Sequence, residues 1–176
     1  MIASPYNTAV NDSIYAKVSA INVYGESSQS TEGNGAVYTT VPDGQRLLSE
    51  DSLQRSSTEI GLTWSNGESD GGESLIDYRI SQRPVGGTYV IIATNIILHS
   101  YTATGLSLGT TYEFMVEGRN VNGYSVPSSD FSILHAIAPE VPSTPTTTNS
   151  GSNVIIDWSA PTSNGSTITS YTLLIL

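Results

Sequence analysis

Apolar and polar residues alternate along most of this chain. Ile60, Leu62 and Trp64 fall on one side, with Gly61 and Thr63 between them. A period of two places successive side chains on opposite faces of a strand. Val154, Ile156 and Trp158 repeat the pattern. Tyr112, Phe114, Val116 and Gly118 follow it too, as do Ile14, Ala16, Val18, Ala20 and Asn22 with Tyr15, Lys17, Ser19 and Ile21 between. Weaker or shorter strands are predicted at 36–41, 46–48, 75–83 (with Tyr78 and Ile80), 89–93, 97–104, 131–137 and 168–176. Polar, glycine-rich stretches separate them: 65–74 holds Gly67, Gly71 and Gly72, and Gly86-Gly87 follows Pro84. Another turn, 120–125, is built around Gly123. No segment sustains a period of 3.6, so essentially no helix is predicted.

The pattern repeats. Trp64 to Trp158 is 94 residues, Tyr78 to Tyr171 is 93, and Gly25 to Gly123 is 98, with Asn22 matching Asn120. A unit of roughly a hundred residues made of short strands is the size of an immunoglobulin-like sandwich. Residues 41–138 hold one complete unit of seven predicted strands. Residues 1–40 supply the last strands of a preceding copy, and 139–176 a joint and the first three strands of a third. Pro42-Asp43-Gly44 marks the first joint, and Pro139, Pro142 and Pro145 stiffen the second.

Trp64 on the second strand of the unit is followed by Leu75-x-x-Tyr78-x-Ile80 on the third. Leu106-Ser-Leu-Gly109-Thr-Thr-Tyr112 and the turn Asn120-x-x-Gly123-x-Ser125 come next. At these residues the chain resembles the fibronectin type III family, over nearly its whole length. The resemblance implies an all-β fold of immunoglobulin-like sandwiches in tandem, similar to arrays in large surface proteins of microbial eukaryotes. It implies that Trp64, Tyr78 and Leu106 belong to the core signature, that Trp158 and Tyr171 are their counterparts in the third copy, and that Tyr112 forms the tyrosine corner. Ile14 stands where Tyr112 does in the first copy, so that corner hydrogen bond is expected to be missing there. Leu108 replaces the family's usual proline. The family's integrin-binding tripeptide is absent, since the loop reads Asn122-Gly-Tyr-Ser-Val-Pro.

Mapped onto the middle copy, residue 1 falls near position 99 and residue 176 near position 83, so the two end copies together would make one sandwich short of about fifteen residues around the fourth strand. Val154, Ile156, Trp158, Ile168, Tyr171, Leu173 and Ile175 are expected to leave an apolar face bare, with open strand edges. Two readings stand. The chain is a window of a longer tandem array, with neighbouring copies as partners. Alternatively, chains self-associate head to tail, each completing the next by strand addition. A contact of that heterologous kind generates a filament.

Composition narrows the function. Charged residues make up only 12% of the chain and the net charge is −10, with six basic residues, all scattered. Nucleic acid and anionic membrane surfaces are therefore unsuited partners. There is no cysteine, which removes disulfides and thiolate metal sites. No apolar run is long enough for membrane insertion, and the opening Met1-Ile-Ala-Ser-Pro-Tyr6 lacks the basic and apolar regions of a signal peptide.

Catalytic chemistry finds no foothold. His99 and His135, each on a predicted strand, have no neighbouring cysteine or third histidine to hold zinc. No nucleophile-elbow pattern occurs, and neither glycine pair lies between a strand and a helix. Glu68, Asp70 and Glu73 crowd one loop. A solvated acidic turn accounts for them, with a calcium site as the alternative. Asn11-Asp-Ser13 and Asn164-Gly-Ser166 match the N-glycosylation pattern. Thr144, Thr146, Thr147 and Thr148, beside Pro142 and Pro145, resemble a tract for O-linked sugars. No cofactor is expected. The function expected is that of a non-enzymatic structural glycoprotein, extracellular or at the cell surface, forming a filament or stalk. An adhesion or ligand-binding module of a larger cell-surface protein is the alternative, and an accessory module of a secreted carbohydrate enzyme a third.

Overall fold

A computed structural model describes residues 8–175. Four short strands come first: β1 (Ser13–Ile14), β2 (Ile21–Asn22), β3 (Gly25–Glu26) and β4 (Ala36–Val37). The middle unit holds β5 (Arg46–Asp51), β6 (Ile60–Ser65), β7 (Asp77–Pro84), β8 (Val90–Ile96), β9 (Ser100–Ala103), β10 (Thr111–Asn120), β11 (Gly123–Tyr124) and β12 (Phe131–Leu134). A 3-10 turn, Ser52–Gln54, follows β5. The hairpin β13 (Thr146–Ser150) and β14 (Asn153–Asp157) closes the series. The opening residues Met1–Tyr6 and the final Leu176 of the last predicted strand lie outside the described residues.

Two antiparallel sheets make the middle sandwich. One has the order β5-β6-β9; the other runs β11-β10-β7-β8, with β12 pairing β10 as well. Alternation explains the packing. Ile60, Leu62 and Trp64 of β6 face Tyr78 and Ile80 of β7 and Tyr112, Phe114 and Val116 of β10, and Ala103 and Leu106 complete the cluster. The edge strand β5 is broken by a bulge between Arg46 and Ser49, where Leu47 adopts φ 54°. A bulge of this kind twists an edge away from further pairing.

The tyrosine corner of Tyr112 is in place: the Ser107 backbone N–H donates to its hydroxyl at 3.1 Å. At the other end of β10, serines repeat a latch. Ser128 exchanges bonds with Val116 (2.9 and 3.1 Å), and Ser125 with Gly118 (2.8 and 3.1 Å). The first unit carries the same latch, Ser30 on Val18 (2.9 and 3.1 Å) and Ser27 on Ala20 (2.8 and 2.9 Å).

Several predicted strands differ, and among them 36–41 and 131–137 shorten to β4 and β12. The run 14–22 is a regular strand only at β1 and β2. Its central residues are bonded along one edge, through Ala16, Val18 and Ala20, whereas β10 is paired along both. Residues 168–175 form no strand, because no neighbouring strand pairs with them among the described residues. The predicted strand 97–104 shortens to β9, with residues 98–99 bending into it.

Val116 and Val18 occupy the same place in successive repeats, yet the first is fully buried and the second is 70% exposed. Val116→Ala should therefore cost on the order of 2 kcal/mol in denaturant melts. Val18→Ala should stay within about 0.5 kcal/mol.

Candidate functional site: the joints and the open faces

The units meet through short linkers, and each linker is bonded to the unit that follows. At the first joint Thr40 N donates to Gly71 O (2.8 Å) and Asp43 N to Ser69 O (2.9 Å). The Asp43 carboxylate accepts from Ser69 N at 3.1 Å. Asn120, fully buried at the end of β10, donates from Nδ2 to both Thr40 O and Asp70 O, each at 2.7 Å. Gly71 and Gly72 adopt φ +78° and +81°, and a Cβ on Gly71 would lie 2.2 Å from Thr40 O. Only glycine fits this backbone approach comfortably.

At the second joint Ile137 N donates to Asn164 O (3.1 Å) and Glu140 N to Thr162 O (3.0 Å). The Glu140 carboxylate accepts from Thr162 Oγ1 at 3.2 Å, and Asn164 Nδ2 donates to Ala138 O at 2.8 Å. Asn164 and Gly165 adopt φ 53° and 91°. A Cβ on Gly165 would stand 2.4 Å from Gly109 N and 2.9 Å from His135 O. The proline-rich linker is thus clamped at its start by the loop of the unit it leads to.

The outer units leave their inner faces uncovered. Trp158 and Tyr171 pack edge to face with centroids 5.5 Å apart at 64°, matching Trp64 and Tyr78 at 5.5 Å and 72°. Yet Trp158 is 41% exposed against 5% for Trp64. Beside it lies an open cleft of about 370 Å³, lined by Pro142, Pro145, Trp158, Tyr171 and Leu173. In the first unit Ile14 and Val18, on the face that matches Tyr112 and Val116, are 42% and 70% exposed, and the turn residues Val23 and Tyr24 are exposed as well.

All six basic side chains are already paired with carboxylates: Lys17 with Glu32, Arg46 with Glu68, Arg55 with Glu50, Arg79 with Glu117, Arg83 with Glu113 and Asp130, Arg119 with Asp77. Three of these pairs lie directly opposite one another across β7 and β10. The Arg79 guanidinium also sits 4.0 Å from the centre of the Tyr124 ring, and Arg83 4.2 Å from that of Tyr89. Charges on one face of each strand, Asp77, Arg79 and Arg83 on β7 and Glu113, Glu117 and Arg119 on β10, were the available sequence signal for this ladder. Burial of the Tyr89 hydroxyl, with the Asp130 carboxylate beside it, pushes its pKa up to about 12.

The predicted site residues divide. Trp64, Tyr78, Leu106 and Tyr112 are brought together in the core. Glu68, Asp70 and Glu73 go separate ways. Glu68 pairs with Arg46 at 2.6 Å, and Asp70 accepts from Gly72 N at 2.9 Å. Among the described residues no group of three acidic or histidine side chains is placed to hold a metal ion. Asn11 is exposed at φ 74°, while the Asn164 amide nitrogen, where a glycan would attach, is engaged with Ala138 O. Thr144 and Thr146–148 are all exposed, the last three on β13.

The histidines depart from their predicted strands. His99 sits exposed in the bend before β9, its Nε2 2.8 Å from both the Tyr78 hydroxyl and Asn66 Oδ1. His135 lies just past β12, fully buried, with Nε2 3.0 Å from Ser56 O. Arg55 bonds the carbonyls of Leu134 and Ala136 on either side of it. Alternation does not mark this burial, because the covering groups come from loops distant in sequence.

Residues 51–133 match the family model described as "Fibronectin type III domain". The middle unit is a fibronectin type III domain. The solved structure of domains A168–A170 of titin is similar, at 24% identity and a TM-score of 0.54, over 73% of this chain and 42% of that one. A human fourth fibronectin type III domain is similar at 17% identity and TM-score 0.51, over 60% of this chain and 88% of that one. Among curated proteins, a Kelch domain-containing protein of Saccharolobus solfataricus is 41% identical over 66 residues, covering 38% of this chain. The chain spans only 9% of that relative's length.

Two outcomes are expected for this fibronectin type III unit and its joint. The Tyr89 phenol, ordinarily at 10, titrates in the folded unit at about 12. The unfolded chain therefore loses this proton first, so the contribution to stability is intact below pH 10 and is lost as pH rises toward 12. Denaturant melts across that window should flatten in Tyr89→Phe. Gly165→Val should open the second joint, speeding amide exchange at Ile137 and Glu140 by on the order of tenfold while exchange in β10 is unchanged.

Proposed function

We propose that this chain is a non-enzymatic structural protein. In this reading it is a tandem fibronectin type III-like array that builds an extracellular filament or stalk, its outer units being completed head to tail between chains. The observation that carries the reading is the pair of bare, complementary faces. The first unit offers the hairpin that follows the Tyr112 position in the repeat, and the third offers β13, β14 and the Trp158–Tyr171 pair. Covering each large apolar side chain contributes roughly 1.5–3 kcal/mol. The exposed Val154, Trp158, Tyr171, Leu173, Leu174 and Ile175 together come to on the order of 10 kcal/mol as an upper figure. That is comparable with the cost of association, about 4–15 kcal/mol, so apolar burial offsets that cost, and assembly at micromolar concentration, about −8 kcal/mol net, rests also on the hydrogen bonds that the open strand edges would gain.

The match to a generally non-catalytic family and the pairing of every lysine and arginine fit a structural part. Glycans at Asn11 and Thr144, and on β13, would accord with an extracellular setting. No helix among the described residues is long and apolar enough to cross a membrane. A second reading, an adhesion or ligand-binding module of a larger cell-surface protein, draws on the cleft at Trp158 and the bare tip at Tyr24.

Electron micrographs at micromolar concentration should show filaments with an axial repeat of about two sandwich lengths. A monodisperse, folded monomer by light scattering would remove the polymer and leave the adhesion reading. Intact mass of natively produced protein would report the glycans.

A further inference from the structure

The two joints are one device built twice. Thr40 and Asp43 precede Ile137 and Glu140 by 97 residues, and their acceptors Gly71 and Ser69 precede Asn164 and Thr162 by 93. Pro42 and Pro139 share the same offset as the linker residues. Asn11, at φ 74°, and Gly109, at φ 81°, are 98 apart and back the loop in each case. Asn11 N donates to Tyr38 O, and Gly109 N to His135 O.

One member is seen at the first joint alone among the described residues. The first joint is closed by Asn120, whose amide spans Thr40 O and Asp70 O. At the second joint the corresponding oxygens are those of Ile137 and Ser163: among the described residues Ile137 O accepts no hydrogen bond, and Ser163 O accepts only a long one from Ser166 N at 3.4 Å, which leaves a lone pair on each. The first unit carries a counterpart of Asn120. Asn22 lies 98 residues before Asn120, and Gly25 before Gly123, at φ 137° and 132°. Asn22 Oδ1 accepts from Tyr24 N at 2.8 Å, as Asn120 Oδ1 accepts from Asn122 N at 2.8 Å. Asn120 is buried in its joint; Asn22 is exposed, its Nδ2 without a partner among the described residues.

We infer that the tip Asn22–Gly25 is a docking surface for the second joint of another copy of this chain, with Asn22 Nδ2 donating to the backbone oxygens of Ile137 and Ser163. The occupant follows from continuity with the first joint, where the same tip already fills the same place. Val23 and Tyr24 then lie against the linker, where Asn122 reaches Thr39 and Thr40 in the first joint. The inference rests on head-to-tail completion and adds its register.

The chain has no cysteine, so introduced thiols report this contact alone. Asn22→Cys combined with Ser163→Cys, treated with a short bifunctional thiol reagent, should give a ladder of dimers, trimers and longer species on a denaturing gel. The equivalent pair Asn120→Cys and Asp70→Cys, which meets within one chain, sets the reaction time. Asn22→Ala, altering an exposed tip, should raise the concentration for half-assembly by on the order of tenfold without changing the melting of the middle unit. Assembly without a ladder, or closure within a single chain, overturns this register while leaving head-to-tail completion standing in the first case. Monomers with no ladder overturn both.

Discussion

The pairing of β10 with β7 is the interaction on which the middle unit depends. It runs without a slip from Tyr112 opposite Pro84 to Arg119 opposite Asp77. One side of the pair supplies Tyr78, Ile80, Tyr112, Phe114 and Val116 to the core; the other carries the Arg–carboxylate ladder. A one-residue slip would turn every one of these side chains to the wrong face. Strand register, core and charge pattern are therefore the same fact seen from three sides.

The outer units show what that pairing supplies by its absence. The first unit has the serine latches and the hairpin of the repeat, but no counterpart of β7 lies beside the run 14–22 among the described residues. Its valines stay in water although its local geometry is that of the middle unit. Local hydrogen bonds can shape a hairpin; burying its apolar face takes a second sheet.

Much of this was legible in the sequence. Period two located most strands, and the Trp and Tyr spacings gave the repeat and the sandwich. The core residues Trp64, Tyr78, Leu106 and Tyr112 were readable because alternation and the family pattern agree on them. The joints were less so. Gly71 and Gly72 read as ordinary loop glycines, since nothing local says that the linker carbonyls of Thr40 and Val41 will approach the first and the side chains of Val10 and Asn11 the second. The burial of His135 is hidden for the same reason: Ser56 and Gly109 reach it across the fold. Asn164 read as a glycosylation acceptor, although its amide also serves the joint. Alternation reports which face of a strand is covered, and these contacts are made by loops.

The clamped linkers also bear on how long such a chain survives whole. A protease needs an extended, mobile segment to thread through its cleft, and connections between domains are where chains are usually nicked. Here Thr40, Asp43, Ile137 and Glu140 have their backbone N–H groups engaged with the next unit, and Pro42 is buried between two of them. The bonds that orient neighbouring units therefore also withhold the connecting backbone from cleavage.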